Sequence, residues 1–300
     1  MEICLDIKTI KIQLISDLHL EIVMDYKERL IEITAPILAI CGNIGFPSRD
    51  GYGKYLSWAS KHYKLVIITA GNHECYSEDK DIVTIKGDIM DIVNQYDNVI
   101  FLDDSSVTIN YDCKHIAKRI LKNFTIIEDL TKVIIDEEST SNYRKSVRIY
   151  GSIMWPLIDS QAKRIEKRII DYRCIKKYSN NQLVNISPND TNSMHIECVR
   201  KLDDEINYCV DNNLYMIVLT HYLPSYNCIH PVYSSKQVKF LNCTLASNLD
   251  YLINEPIVLW LHGHAQRQNN IIINNTRIIS NSYDCHGVEK KKNKSYVIIA

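Results

Sequence analysis

Five short polar segments hold the side chains best suited to bind a metal ion or to move a proton. They are Asp17-Leu18-His19, Gly42-Asn43, Gly71-Asn72-His73-Glu74, His221, and the run from His262 to Gln266. Carboxylate, imidazole and amide groups are the ligands that divalent metal ions take in proteins. Histidine also changes charge near neutral pH, so it can give or take a proton during a reaction. These residue types predict metal-assisted acid–base chemistry if the fold gathers them.

Each polar segment directly follows a short apolar run rich in isoleucine, valine and leucine. The runs are Ile12–Ser16, Pro36–Cys41, Leu65–Thr69, Leu214–Thr220 and Pro256–Leu261. Such β-branched runs predict buried strands. Because sites assemble at the carboxyl ends of strands in an open α/β sheet, the five segments are expected to meet there. Three of the five contain a glycine, in a chain with only nine among 300 residues, which indicates that their backbones need it.

Segments with helical spacing lie between some of these strands. In 81–98, isoleucine and valine recur every three or four positions, and 192–212 shows the same apolar spacing. Strands that alternate with helices predict an α/β fold. Short runs at 271–273 and 277–280, joined by an Asn-Asn turn, predict additional antiparallel sheet near the end of the chain.

The chain is expected to form a single domain. No linker rich in proline, glycine or serine and no internal repeat occurs in residues 1–300. The charged stretch around 156–192 predicts a helical insertion or cap in that domain. Its last part, 179–192, is polar and predicts a loop.

Composition argues against several classes of protein. The net charge is −1, from 35 basic and 36 acidic residues, so no overall field draws the chain to nucleic acid or to a membrane. No run approaches the roughly 18 apolar residues that a membrane helix needs, and the N-terminal sequence has no secretory apolar core. The ten cysteines form no CxxC pair, as expected of reduced thiols. A cytoplasmic protein with no membrane partner is therefore expected.

The order of the polar segments resembles that of the calcineurin-like metallophosphoesterase family. The family pattern runs Asp-x-His, Gly-Asp, Gly-Asn-His-Asp/Glu, a lone His after a strand, and Gly-His-x-His. The five segments follow it in order, and the resemblance covers about residues 12–281. It implies a four-layered α/β sandwich with two mixed β-sheets and flanking helices. It also implies a hydrolase that cleaves phosphomonoesters or phosphodiesters by in-line attack of a metal-activated hydroxide.

The resemblance implies one or two divalent metal ions per chain, Mn²⁺ or else Fe, Zn or Mg²⁺. The implied ligands are Asp17, His19, Asn43, Asn72, His221, His264 and Gln266. The implied catalytic residues are Asp17 and His73, where His73 would protonate the leaving group or stabilise charge in the transition state. The implied partner is a phosphate-ester substrate, and nucleic acid is expected only as such a substrate.

Two of these ligand positions depart from the family pattern. Asn43 stands where the family has a bridging aspartate, and Gln266 stands where it has a second histidine. An amide oxygen coordinates a cation without adding negative charge, so both metal sites are expected to be weaker. Glu74 and Asp50 are candidates to supply that charge from outside the ligand set. The alternative interpretation is a metal-poor relative, weakly active or inactive, that acts as a protein-binding module.

Overall fold

The fold is described from a computed structural model of the chain. It describes residues 1–5, 7, 9–111, 145–158, 161–231, 235, 239–265, 268–283 and 296–299. The predicted ligand Gln266 lies outside the described residues. In the described part of the chain, every helix is too short or too polar to cross a membrane.

The described residues form fourteen strands and five α-helices. Strands β1–β14 span, in chain order, Glu2–Leu5, Ile10–Ile15, Ile37–Cys41, Leu65–Thr69, Val99–Phe101, Ser105–Tyr111, Lys145–Ser152, Lys176–Ser179, Gln182–Asn185, Tyr215–Thr220, Ile257–His262, Gln268–Ile273, Thr276–Asn281 and Tyr296–Ile299. Helices α1–α5 span Asp50–His62, Ile82–Val93, Ala162–Glu166, Asp171–Cys174 and Pro188–Asp211.

Two mixed β-sheets form the centre of the molecule. The seven-stranded sheet has the order β1-β6-β7-β10-β11-β13-β12, and the five-stranded sheet has the order β14-β2-β3-β4-β5. In the smaller sheet β2, β3, β4 and β5 run parallel, and β14 is antiparallel to β2. In the larger sheet β7, β10, β11 and β13 run parallel. β6 is antiparallel to β7 but parallel to β1, and β12 is antiparallel to β13. Antiparallel strands therefore occur in both sheets.

Alternating side chains of the strands build two hydrophobic layers. Leu14 and Ile67 of the smaller sheet share one buried cluster with Ile217 and Leu259 of the larger sheet, so this cluster lies between the sheets. The intervening side chains belong to a second cluster with residues of α1, α2 and α5, which we call the helix-side cluster. Helices α1 and α2 contact the smaller sheet, and α5 contacts the larger one. The fold is therefore the predicted α/β sandwich of four layers, helix–sheet–sheet–helix.

The predicted loop at 179–192 is wrong. This stretch contains β9, and α5 begins at Pro188 rather than at 192. Asn180 and Asn181 have φ angles of 50° and 61°, the left-handed pair that a two-residue hairpin turn requires. A solvated hairpin tolerates polar residues on both faces, so polarity alone did not separate it from a loop. Ser187 and Asp190 form a capping box that fixes the start of α5.

The stretch expected to be a helical insertion contains α3, α4 and the β8–β9 hairpin, between β7 and α5. Ile165, Tyr172 and Ile175 are buried and join the helix-side cluster. The backbone N–H of Ser77 donates to the Cys174 carbonyl at 2.9 Å. An isolated β-bridge also joins Tyr76 to Ile175. This segment is thus fixed to the loop that follows Asn72 and His73.

Candidate active site

The polar segments meet where strands of both sheets end. β2, β3 and β4 of the smaller sheet and β10 and β11 of the larger sheet are each followed by one segment. Hydrogen bonds cross between the sheets at this edge. The backbone N–H of His264 donates to Asp17 Oδ2 at 3.0 Å, and His221 Nδ1 donates to the Cys41 carbonyl at 2.9 Å. The predicted residues brought together are Asp17, His19, Asn43, Asn72, His73, Glu74, His221 and His264.

Four of these residues have a left-handed backbone. The φ angles are 56° at Asp17, 49° at His19, 56° at Asn43 and 58° at His264. Asp, Asn and His tolerate this region better than most residues, yet each such position still costs about 1–3 kcal/mol. Backbone strain of this kind concentrates at functional sites, so its clustering supports a functional role for this edge.

Two glycines allow the loops to approach closely. A Cβ atom on Gly71 would lie 2.3 Å from Asn43 Oδ1, and a Cβ atom on Gly263 would lie 2.3 Å from the Cys41 carbonyl oxygen. Real Cβ contacts are never this short, so any side chain at either position would push the loops apart. In this glycine-poor sequence, the close approach of the site loops thus requires glycine at both positions.

One half of the site pairs most of its polar groups with hydrogen bonds, and we call it the saturated cluster: Asp17, His19, Glu21, Asn43 and His73. Glu21 Oε2 is its exception, a buried atom with no hydrogen-bond partner among the described residues. Asn43 Nδ2 donates to Asp17 Oδ1 at 3.1 Å, and Asn43 Oδ1 accepts from the backbone N–H of His73 at 3.0 Å. Because a backbone N–H can only donate, the orientation of the Asn43 amide is fixed. Its NH2 group, not its oxygen, faces Asp17.

Glu21 joins the two histidines of the saturated cluster. Its Oε1 atom accepts from His19 Nδ1 at 2.8 Å and from His73 Nδ1 at 2.9 Å. Burial alone would raise the pKa of Glu21, but the two hydrogen bonds outweigh it and lower the pKa to about 2. Both imidazoles therefore keep their Nδ1 proton and offer Nε2 for other contacts. Sequence reasoning missed Glu21, although it alternates with Asp17 and His19 and could have been found from that spacing.

The charge of His19 balances the carboxylates around it. His19 Nε2 lies 3.9 Å from Asp17 Oδ1. Burial works against the charged ring, but Glu21 and Asp17 together raise the pKa of His19. When His19 is protonated, its positive charge lies next to Asp17 and Glu21. The ligand atoms of His19, Glu21 and His73 also lie within 4.8 Å of one another, so a cation could bind there in competition with the hydrogen bonds to Glu21.

The other half of the site consists of acceptors that face each other, and we call it the lone-pair cluster: Asn72 Oδ1, His221 Nε2 and His264 Nδ1. His221 Nε2 lies 3.1 Å from Asn72 Oδ1 and 3.1 Å from His264 Nδ1. Since His221 Nδ1 gives its proton to the Cys41 carbonyl, Nε2 of the neutral ring carries a lone pair. A proton on His264 Nδ1 would satisfy only one of the two contacts. Asn72 Oδ1 and His221 Nε2 would still oppose each other.

Protonation does not relieve this opposition near neutral pH. Burial lowers the pKa of His221 to about 3, and burial together with the nearby His221 ring lowers the pKa of His264. Both rings are therefore neutral and offer lone pairs. Adjacent ligands of an octahedral ion with bonds of about 2.1 Å lie about 3 Å apart, which matches this spacing. The lone-pair cluster thus fits a divalent cation in both donor type and separation.

The orientation of Asn72 is set by a residue that sequence reasoning missed. Asn72 Nδ2 donates to Asp171 Oδ1 at 2.9 Å and to Tyr76 Oη at 2.9 Å. These contacts turn Asn72 Oδ1 toward His221. Asp171 belongs to the charged stretch that the sequence assigned to a helical insertion or cap, and no motif marks it. Its side chain is nonetheless buried.

Glu74 holds two site loops together rather than facing the lone-pair cluster. Its fully buried carboxylate accepts from the backbone N–H groups of Asn43 at 2.9 Å, Ile44 at 2.6 Å and Gly71 at 2.8 Å. The expectation that Asp50 supplies charge to the site is wrong. Its side chain is 87% exposed at the start of α1 and pairs with Lys54, because the helix directs it to solvent.

The side chain of His73 is the most exposed ionisable group in the saturated cluster. The side chain of His73 is 30% exposed, against 7% for His19 and 6% for Glu21. The His73 ring packs on Tyr76 with ring centroids 4.6 Å apart. A ligand entering from solvent would therefore meet His73 before it met the buried acids.

Comparison with known proteins identifies the fold. No family model matches the sequence. The chain is 27% identical over 287 residues to the uncharacterized protein L509 of Acanthamoeba polyphaga mimivirus, covering 89% of this chain and 88% of that protein. Among solved structures it is similar to phosphopantetheinyl hydrolase (PptH) from Mycobacterium tuberculosis, with a TM-score of 0.55, 15% identity, and coverage of 91% and 90% of the two chains. This chain has a phosphoesterase fold.

Proposed function

We propose that this protein is a metal-dependent phosphoesterase of the calcineurin-like kind. The observation that carries the proposal is the lone-pair cluster, in which buried His221 Nε2 lies 3.1 Å from both Asn72 Oδ1 and His264 Nδ1, with the lone pairs of Asn72 Oδ1 and His221 Nε2 opposed. Opposed lone pairs in a buried place are costly unless a cation or proton lies between them. Because both rings are neutral, Asn72 Oδ1 and His221 Nε2 remain opposed whichever nitrogen of His264 carries its proton, and a cation is the partner that this arrangement favours.

The residues suited to hold the ion follow from this geometry. Asn72, His221 and His264 would hold one divalent ion, and Asp17 with His19 would hold a second if the hydrogen bonds of the saturated cluster open. When bound, the ion would polarise a phosphate oxygen and activate water for in-line attack. We expect Mn²⁺ or a similar ion, because amide and imidazole ligands suit such borderline cations.

His73 is the proposed proton donor to the leaving oxygen. Glu21 Oε1 accepts the Nδ1 proton of His73 at 2.9 Å, so Nε2 is the atom that can carry a proton to the substrate. The same hydrogen bond restricts rotation of the ring. The partial exposure of His73 gives a phosphate ester access to Nε2 without opening the core.

Hydrolysis of an aryl phosphomonoester and an aryl phosphodiester, assayed with Mn²⁺ and then after chelation, tests this function. The expected result is Mn²⁺-dependent release of the phenol from at least one of the two substrates. Absence of hydrolysis by a folded protein that also binds no Mn²⁺ in calorimetry would contradict the proposal.

A second candidate function is supported by the saturated cluster. Because Asn43 Nδ2, the Ser16 hydroxyl and the backbone N–H of His264 together satisfy both oxygens of Asp17, this half of the site is compatible with a metal-poor protein that binds a partner protein. Under that function the Asn43→Asp variant would gain activity that the natural protein lacks. Mn²⁺-dependent hydrolysis by the natural protein would exclude a purely binding role.

A further inference from the structure

Asp171, the first residue of α4, connects the inserted segment to the proposed metal ligands. Its Oδ1 atom accepts from Asn72 Nδ2 at 2.9 Å and from the Tyr76 hydroxyl, and its Oδ2 atom accepts from the Tyr222 hydroxyl at 3.0 Å. Tyr222 follows His221 directly, and its ring packs on His264 with centroids 4.5 Å apart. Asp171 therefore contacts one ligand and the neighbours of the other two.

The three donors around Asp171 fit an ionised carboxylate. Each of its oxygens receives at least one hydrogen bond from Asn72, Tyr76 or Tyr222, and a carboxylate with no proton accepts at both oxygens. Each tyrosine hydroxyl has one proton and directs it to an oxygen of Asp171, so both act as donors. The arrangement places a negative charge next to ligands that are all neutral.

The position of Asp171 is held from several sides. The backbone N–H of Ile175 donates to the Asp171 carbonyl at 2.9 Å, and Ser77 N–H donates to the Cys174 carbonyl at 2.9 Å. Tyr172, next in the chain, is buried and its hydroxyl lies 3.1 Å from Thr191 Oγ1 on α5. The inserted segment therefore positions this carboxylate as firmly as the sheet edge positions the ligands.

We infer that Asp171 is a positioning residue for the metal ion, one that orients Asn72 Oδ1 and supplies the buried negative charge that Asn43 does not. The inference rests on the proposed function. Residues that contact metal ligands from outside commonly change metal affinity about 10- to 100-fold when mutated. Here the effect has two parts, orientation and charge, and two substitutions separate them.

Calorimetric titration with Mn²⁺ tests the inference on the full chain. Asp171→Asn preserves the shape and keeps one acceptor oxygen for Asn72 but removes the charge, so Mn²⁺ affinity should fall about tenfold. Asp171→Ala also frees Asn72, so affinity should fall about 100-fold. The double variant Asn72→Asp/Asp171→Asn moves the charge onto the ligand itself and should recover the affinity that Asp171→Asn loses.

Asp104→Asn is the matched control. Asp104 accepts from the Ser152 hydroxyl at 2.6 Å and from the Tyr150 hydroxyl at 3.4 Å, but hydrogen-bonds to none of the proposed ligands. It should bind Mn²⁺ within twofold of the natural protein. Should Asp171→Ala fail to fold, as judged by circular dichroism, the isosteric Asp171→Asn and the double variant decide the question.

The outcomes separate this inference from the proposed function. If the natural protein binds Mn²⁺ and Asp171→Asn binds it equally well, the role of Asp171 is overturned and the phosphoesterase proposal stands. If the natural protein binds no Mn²⁺, both are overturned. Loss of affinity in Asp171→Asn with recovery in the double variant supports the inference, because a merely structural role would not respond to moving the charge.

Discussion

The two halves of the site differ in how their polar groups are satisfied. In the saturated cluster Asn43 donates to Asp17, His73 N–H donates to Asn43, and Glu21 accepts from two imidazoles. In the lone-pair cluster His221 Nε2 lies 3.1 Å from both Asn72 Oδ1 and His264 Nδ1, and the lone pairs of Asn72 Oδ1 and His221 Nε2 oppose each other. The Asn43 amide thus satisfies Asp17 Oδ1 without a cation. The opposed acceptors of the lone-pair cluster still need one. We therefore expect the lone-pair cluster to be the strongest ion-binding site.

The largest effect is expected from His264→Ala, which removes one acceptor of the lone-pair cluster. Loss of the ion should lower kcat for an aryl phosphate by about 10³-fold or more, because several kcal/mol of charge stabilisation disappear. Mn²⁺ content after dialysis should fall with it. The control is His62→Ala, an exposed residue of α1 whose ring bonds the Trp58 carbonyl. A His264→Ala protein that kept both metal and activity would contradict the assignment of the ion to the lone-pair cluster.

His73→Ala should lower the rate of hydrolysis without changing the affinity for Mn²⁺. Removing a proton donor commonly costs about 10²- to 10⁴-fold in rate, so kcat should fall by about 10²- to 10³-fold. Mn²⁺ affinity should stay unchanged, because His73 lies in the saturated cluster. An unchanged kcat, measured with Mn²⁺ present, would show that another group donates the proton.

Asn43→Asp converts the saturated cluster into one that needs a cation. The new carboxylate would lie about 3 Å from Asp17 Oδ1, and two uncompensated buried acids should lower the free energy of unfolding by about 3–5 kcal/mol. Mn²⁺ should restore that stability and raise the binding stoichiometry. Thermal unfolding with Mn²⁺ or with a chelator measures this. Equal melting temperatures under the two conditions would contradict it.

Glu21→Gln sharpens the comparison through its pH dependence. The folded-state pKa of Glu21 is lowered from 4.5 to about 2, so the carboxylate stabilises the fold above pH 4.5 and that stability is lost as pH falls toward 2. The variant should lose about 2–3 kcal/mol at pH 7. The difference from the natural protein should shrink below pH 4.5 in urea unfolding. A difference that is constant with pH would mean that charge is not involved.

The smallest effect is expected from Asp50→Asn. Asp50 is close in sequence to Asn43 but is exposed and pairs only with Lys54 in the described structure. Its removal should change the free energy of unfolding by a few tenths of a kcal/mol and leave Mn²⁺ affinity unchanged. A clear loss of metal binding would mean that charge reaches the site over a longer distance than the contacts indicate.

The sequence predicted which strand ends carry the site residues, because that depends on residues close together in the chain. Asp17, Asn72 and His221 each follow an apolar run directly, and parallel strands bring such ends to one edge. The same reasoning predicted the antiparallel strands and a helix within 81–98, where the structure has α2 over Ile82–Val93. It could not give the orientation of Asn43, since an amide can turn either its oxygen or its NH2 toward a neighbour. Only the backbone N–H of His73 decides that.

Contacts across long sequence separations were beyond the reach of the sequence. Asp171 lies 99 residues from Asn72, within a stretch whose charge is typical of a solvent-exposed helix. Its burial depends on the packing of Tyr172 and Ile175 against the helix-side cluster. Glu21 was closer, but its role depends on the left-handed backbone at Asp17 and His19, which turns the chain back onto His73.

Anomalous diffraction from a crystal soaked in Mn²⁺ tests the central claim most directly. The account predicts a strong anomalous peak among Asn72 Oδ1, His221 Nε2 and His264 Nδ1, with a weaker peak or none beside Asp17. A peak only among His19, Glu21 and His73, or no peak at either place in a fully soaked crystal, would contradict it.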